Sequence, residues 1–351
     1  MSPLPKAGAP DRPATVINLS DQSPQWQWLR DAFVHQNPDW HHISSRSQRP
    51  VLPLFRDRMA RRMAAHQALD LARRATGPVV FVSHGPKPAN HLGHLMGHGH
   101  PAAHLAFSFN FTALPRGLER YVMRHSFRQV DRFVVASTLE RGRYAHCFDI
   151  DPARIDVLPW GVRPPQREAL GSPLINPPYL CALGSQARDY GTLARAMRLL
   201  PSVKLVLVAT PESVTGVSLP DNIELRTNIP RAQAMNLLAH SRAMVLPLAD
   251  EQAACGHVTA VSALHLGVPI ASTHCLGLAD YLQDGHSALI SPVADERRLA
   301  ANLQRLWEAP DEAQALARTG RAFAAEHCTE DNVVRYFTRF LANLAPSTSS
   351  A

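Results

Sequence analysis

Residues 243–273 read AMVLPLADEQAACGHVTAVSALHLGVPIAST. The apolar run Ala243–Leu248 predicts a buried strand and the polar Ala249–Cys255 a loop. Gly256 to Gly267 predicts a helix, and Val268–Thr273 the next strand. Strand, loop, helix and strand within 31 residues make one parallel βαβ unit. The loop delivers a glycine to a helix N-terminus, where free N–H groups and the positive end of the helix dipole meet. Such a point suits an anion, phosphate above all. Thr259 adds a hydroxyl in the first turn. The same residues also fit a plain junction in which Gly256 only makes the turn, since most helix N-termini bind nothing.

The pattern repeats outward from this unit. On its amino-terminal side lie strands at 179–183, 204–210 and 222–227 and a helix at 231–240. On the other side come a strand at 288–292 and helices at 296–308, 310–325 and 332–344. Before residue 165, strands are expected at 15–20, 40–44, 78–83, 102–110 and 132–136, with helices at 24–34, 54–74, 114–130 and 138–148. Strands alternating with helices predict parallel sheets, here two doubly wound α/β domains. They run over residues 14–165 and 179–330, joined by a proline-rich linker at 166–178. Residues 331–344 form a last helix, 1–13 are expected to be disordered, and 345–351 are a small polar tail.

Ligands of such sheets sit beyond the carboxyl ends of the strands. His84 stands at one such end. Asn110 and Thr112 close another, and either reach a ligand or cap the next helix. Arg188 is the single cation of the loop Gly184–Leu193. Its planar fork suits phosphate oxygens, while pairing with Asp189 or with solvent is the other reading. Ser137 and Glu140 have capping-box spacing. His94 and His98 lie one helical turn apart, but no HExxH motif or cysteine pair accompanies them, so no metal site is expected. The helix at 54–74 interleaves Phe55, Met59, Met63 and Leu69 with six arginines. It packs its apolar side on a sheet or rests on anionic lipid. Asp57, Asp70 and Asp131 read as helical and surface-bound.

The chain has 351 residues, 45% hydrophobic and 19% charged, as in soluble globular proteins. No stretch approaches the roughly 20 apolar residues of a membrane span. The first residues, rich in Pro and Gly, lack the apolar core of a secretory signal. Five scattered cysteines point to reduced thiols in a cytosolic protein. Residues 1–165 hold 21 Lys/Arg against 12 Asp/Glu, whereas the remainder holds 15 against 17. A basic amino-terminal half steers anionic partners, or is simply a solvated surface. No GxGxxG joins a strand to a helix, which argues against a dinucleotide-dependent dehydrogenase.

The order of these motifs resembles the GT-B glycosyltransferases of the family 4-like group, the glycosyl transferases group 1. In the opening stretch Pro247, Glu251, Gly256, Ala263, Gly267, Val268 and Pro269 fit the family's donor segment. VVAST…RIDVLPWGV resembles the end of its first domain, with Trp160 where an asparagine is usual. Gly277 to Pro292 is similar to its glycine-leucine-x-glutamate-tyrosine run. Two departures stand out: Ser262 and Ala254 replace the paired glutamates, and the loop at 184–193 has no lysine. The likeness covers roughly residues 130–345 by motif and 15–129 by element order only.

The resemblance implies two Rossmann-like domains facing a cleft, an amino-terminal acceptor domain and a carboxy-terminal donor domain. It implies a metal-independent hexosyltransferase with no cofactor. Such an enzyme moves a sugar, with retention, from a nucleotide-diphosphate donor to a glycan or lipid-linked acceptor in polysaccharide or glycoconjugate synthesis. Gly184, Ser185, Arg188, Gly256, His257, Val258 and Thr259 would bind the donor, and His84 and Glu251 would be catalytic. Asn110 and Thr112 would face the acceptor. A cytoplasmic protein is expected, to which the basic half adds peripheral contact with an anionic membrane at the membrane's inner face, and no nucleic acid is expected. A catalytically silent GT-B-like scaffold or binding protein, or a GT-B-fold nucleotide-sugar epimerase, are the alternatives.

Overall fold

The structure is a computed structural model that describes residues 14–23, 30, 38–45, 53–97, 100–166, 168–176 and 178–343, with 53–56 and 168 by backbone only. The expected helix at 24–34 (apart from Arg30), His98, and the two chain ends fall outside the described residues. The chain forms two compact units. One comprises residues up to 136, 141–157 and 333 onward, and the other comprises 137–140 and 158–332.

The first unit is a parallel six-stranded sheet flanked by helices. In chain order its elements are β1 (Thr15–Ser20), β2 (Asp39–Ser44), α1 (Pro53–Arg74), β3 (Val79–His84), α2 (Pro86–Met96), β4 (Ala103–Phe107), α3 (Gly117–Ser126), β5 (Arg132–Val135), α4 (Thr138–Phe148) and β6 (Ile155–Val157). The sheet order is β2-β1-β3-β4-β5-β6. The order reverses between β1 and β3, which makes that point a place for ligands. Leu19 pairs with Ser83, so His84 ends its strand at this reversal.

Two expected elements are shorter than their apolar runs. The strand expected at 102–110 stops at Phe107, because Ser108 turns to φ 50. The helix expected at 114–130 spans 117–126 and tightens into a 3₁₀ turn at 127–129. The face that α1 buries also differs from expectation. Ala64, Ala65, Ala68 and Leu69 pack against Ile17 and Phe81, whereas Met59 and Met63 are 56% and 62% exposed. Small alanines let the helix lie close to the sheet, and the methionines stand on nearly the opposite side of the helix. Asp131 is not helical; it precedes β5 and accepts from the His104 N–H at 2.7 Å.

The second unit continues with β7 (Leu180–Leu183), α5 (Tyr190–Arg198), β8 (Leu205–Val208), β9 (Ile223–Arg226), α6 (Arg231–Ala239), β10 (Ala243–Leu246), α7 (His257–Leu266), β11 (Ile270–Thr273), β12 (Leu289–Ser291), α8 (Glu296–Glu308) and α9 (Pro310–His327). Its strands are all parallel, in the order β12-β11-β10-β7-β8-β9. Alternate residues serve opposite faces. Cys181, Met244, Leu246 and Ile270 pack on the α7 side, and Leu180, Ala182, Val245 and Ala271 on the side of α5 and α8. Eight of the ten α7 residues are buried, because α9 covers its outer side. A Cβ on Gly320 would come within 2.5 Å of Leu264, which shows how closely these two helices approach.

A last helix, α10 (Glu330–Ala342), starts at the second unit, and its residues from Val333 onward cluster with the first. There Phe337 packs on Phe107 at 5.0 Å and the Tyr336 hydroxyl donates to Asp156 at 2.7 Å. The fold is GT-B, two Rossmann-like α/β units in one chain.

Candidate functional site

In the second unit the strand order reverses between β7 and β10, and the loops that leave those two strands flank the reversal. They are stitched together by backbone bonds. Asp189 N–H donates to Pro247 at 2.9 Å, and Ala249 N–H to Ala187 at 3.1 Å. The expected neighbour of Arg188 is engaged elsewhere. Asp189 caps α5 by accepting from the Thr192 N–H at 2.8 Å and the Thr192 hydroxyl at 2.5 Å.

Arg188 is half-buried and folds back across the loop. Its Nη1 donates to Gln186 O at 2.8 Å and its Nε to Leu183 O at 3.3 Å. Its Nη2 lies 3.5 Å from the Thr259 hydroxyl, and Nη1 is 4.0 Å from the Cys255 sulfur. The guanidinium therefore reaches the first turn of α7. Gly184 leaves the space for it: its φ is +103, and a Cβ there would sit 2.8 Å from Nη2. Ser185 closes the outside of the loop, its hydroxyl accepting from the Thr210 N–H at 2.8 Å.

Gly256 enters α7 in the left-handed region, at φ 93, and no side chain caps the helix. The first-turn N–H groups and the guanidinium thus converge beside Thr259, two positive features on one point. Val258 is 39% exposed in that turn. His257 contributes backbone only. Its buried ring donates from Nε2 to Gly277 O at 2.8 Å and leans on Tyr281. Burial lowers its pKa, against the pull of Glu140 and Asp280, so the ring is neutral. Ser262 is buried, and its hydroxyl returns to Val258 O at 2.7 Å. No carboxylate occupies this position.

Glu251 stands exposed in the β10 loop, 3.5 Å from His274 Nδ1. Its backbone carbonyl accepts from the Leu276 N–H at 2.8 Å. The next loop is fastened by Gly277, where a Cβ would meet the Ala253 carbonyl at 2.3 Å. A cavity of about 310 Å³ opens here, lined by Thr273, His274, Cys275 and Asp284 among others. Gly277 and Cys255 were not singled out from the sequence as site residues. Their signal is steric and long-range: a backbone contact across more than twenty residues and a thiol beside a guanidinium.

The other expected residues lie in the first unit. The His84 ring meets the edge of Phe107 at 5.3 Å, and its Nε2 is shielded from solvent. Burial, with His42 nearby, pushes its pKa down to about 3, so His84 is a neutral imidazole. Asn110, between two anchored rings, and Thr112, just after the second, are exposed. Phe109 is fully buried, and Phe111 stacks on Phe148 at 5.1 Å. Among the described residues, no group of three His, Cys, Asp or Glu is placed to hold a metal, and no helix is long and apolar enough to cross a membrane.

Comparison with known proteins agrees with this geometry. Residues 178–309 match the family model described as glycosyl transferases group 1. The chain is 25% identical over 243 residues to a D-inositol 3-phosphate glycosyltransferase of Segniliparus rotundus, covering 62% of this chain and 54% of that one. The chain spans about half the length of the curated relatives it matches. Among solved structures, a sucrose-phosphate synthase from Thermosynechococcus elongatus superposes with a TM-score of 0.73 at 16% identity, covering 95% and 99% of the two chains. Anabaena Alr3699/HepE in complex with UDP-glucose gives 0.66 at 11%, over 94% and 99%. Fold and segment point the same way: the chain has the GT-B fold, and its residues 178–309 match the model of the glycosyl transferases group 1.

Proposed function

We propose that the protein is a metal-independent glycosyltransferase that takes a hexose from a nucleotide-diphosphate donor. The observation that carries this reading is the convergence of Arg188 and the uncapped start of α7 beside Thr259. The diphosphate sits there, held by Gly184, Ser185, Arg188 and the backbone of Gly256–Thr259. As the anomeric carbon–oxygen bond breaks, the diphosphate oxygen keeps the electron pair, and these donors stabilise its charge. The acceptor hydroxyl oxygen forms the new bond, and its proton passes to the departing diphosphate. Neutral His84 hydrogen-bonds the transferred sugar, and Glu251 holds its hydroxyls. Resemblance supports retention of configuration.

In this reading the second unit is the donor domain. The first is the acceptor domain, with Asn110 and Thr112 facing a glycan or lipid-linked acceptor. The Segniliparus relative is named for a phosphorylated polyol, which supports an acceptor carrying phosphate. The basic amino-terminal half supports contact with an anionic membrane surface. The product feeds polysaccharide or glycoconjugate synthesis.

A thermal-shift panel with UDP, GDP, ADP and TDP on wild type and Arg188→Ala tests the donor site. One nucleotide is expected to raise the melting temperature of the wild type, because a ligand of the folded state stabilises it. The shift should vanish in Arg188→Ala. Absence of a shift with all four overturns the reading. One observation favours a second reading, a protein that binds a nucleotide sugar without transferring it: Ala254 and Ser262 leave no carboxylate at the two positions where the family carries paired glutamates. Nucleotide binding with no transfer to any acceptor would support that version.

A further inference from the structure

In the first unit a groove of about 660 Å³ runs over the outer face of α2, between α1 and α3. One wall carries Arg58, Arg61 and Arg62, and Lys87 stands at the head of the floor. The opposite wall presents Leu118, Val122 and Met123. Arg61 is committed to Asp21, which it grips with Nε and Nη2 at 2.8 to 3.1 Å. Arg58 and Arg62 are exposed and have no acidic partner among the described residues. Glu119 is the one carboxylate among the described lining residues.

The rim is as unusual as the wall. Of the eight exposed large hydrophobic residues among those described, five lie on the two flanking helices: Met59 and Met63 on α1, Leu118, Tyr121 and Val122 on α3. Leu118 is 77% exposed and Tyr121 69%. Exposed apolar side chains gathered around one feature mark an interaction surface. A free nucleotide or sugar phosphate would use the arginines and leave this apolar wall and rim in water. An acidic amphiphile uses both. Cations beside protruding Met, Leu and Tyr match the water–hydrocarbon boundary of an anionic bilayer.

We propose that this groove receives the phosphate headgroup of an anionic bilayer lipid, with Arg58 and Arg62 on the phosphate and Leu118 and Val122 against its first methylenes. The proposal deepens the membrane contact put forward above and rests on it, not on the transfer reaction.

Flotation with phosphatidylcholine vesicles, with and without phosphatidylglycerol, tests it. Wild type is expected to float only with the anionic vesicles. Arg58→Glu with Arg62→Glu should weaken partitioning roughly thirtyfold or more, from two lost surface cations. Arg297→Glu with Arg318→Glu, exposed positions on α8 and α9, makes the same change in net charge and should leave partitioning near wild type. Leu118→Asp, at a position too exposed to matter for folding, should also release the protein.

No flotation of the wild type overturns the proposal. Equal losses in the two charge-reversed variants overturn it in favour of diffuse attraction. An unaffected Leu118→Asp, or binding of polyglutamate as tight as that of vesicles, overturns it in favour of a purely ionic or acidic-peptide site. The nucleotide thermal shift on the same variants keeps the readings apart. Lost flotation with a retained shift is the expected result for the groove variants, while a shift absent in wild type that still floats leaves the lipid site standing and removes the donor site.

Discussion

At the scale of single residues, the Arg188 guanidinium occupies the space in which a Gly184 side chain would stand. Gly184→Ala meets two obstacles: a left-handed φ of +103, and a Cβ 2.8 Å from Nη2. Relief requires the arginine to swing away from Thr259. The variant is expected to lose about 1–3 kcal/mol of stability and to lose the nucleotide-induced shift as fully as Arg188→Ala. Urea unfolding and the nucleotide panel measure the two effects. Full stability with an intact shift would mean that the guanidinium position is not what Gly184 protects. His257 illustrates the reverse case. Its side chain suits an anion by type, but the Gly277 carbonyl already holds the ring, so only its N–H remains for a donor.

Among the elements, the connection into the second unit is more tightly held than its prolines suggest. Asn236 on α6 is 4% exposed and clamps it with three bonds. It accepts from the Leu174 N–H at 3.1 Å, and donates to Leu170 O at 2.7 Å and Ser172 O at 2.9 Å. Asn236→Ala strands these backbone groups and is expected to cost roughly 1–3 kcal/mol. Limited proteolysis should then cut faster within residues 168–176, and an unchanged cleavage rate would show that the clamp is dispensable. The start of α4 is also held from afar. Ser137 and Glu140 form the expected local cap, while Asp280 accepts from the Thr138 N–H at 2.6 Å and its hydroxyl at 2.8 Å.

For the whole molecule, two units with separate cores predict two calorimetric transitions. They respond to different chemistry. In the first unit, burial holds His84 and His104 down to a pKa of about 3, well below the ordinary value of 6.5. Between those values the unfolded chain takes up protons that the folded unit refuses. Acid therefore destabilises this unit from pH 6.5 downward, by up to about 1.4 kcal/mol per pH unit for each imidazole. His104→Asn should flatten that slope. The bound nucleotide raises only the other transition, by about 2.7 kcal/mol at a hundredfold excess over Kd. A scan at pH 7 and pH 5, with and without UDP, reads both. A single transition moved by both agents would contradict the separation.

The sequence by itself determined the alternation of strands and helices, and hence the two doubly wound sheets. Those follow from local causes: apolar runs bounded by turn residues, Gly256 and Gly267 at the ends of α7, and the capping box at Ser137. It also marked the loops at strand ends where a ligand belongs. Only the tertiary structure decided which side chains those loops present. Arg188 turns to Thr259 because Asp189 is taken by α5. His257 turns inward because Gly277 lies beneath it. Met59 and Met63 stay in water because the neighbouring alanines pack closer to the sheet. The Thr259 hydroxyl, the Gly277 carbonyl and the sheet residues Ile17 and Phe81 that fix these outcomes lie far away in the chain, and a local pattern does not contain them.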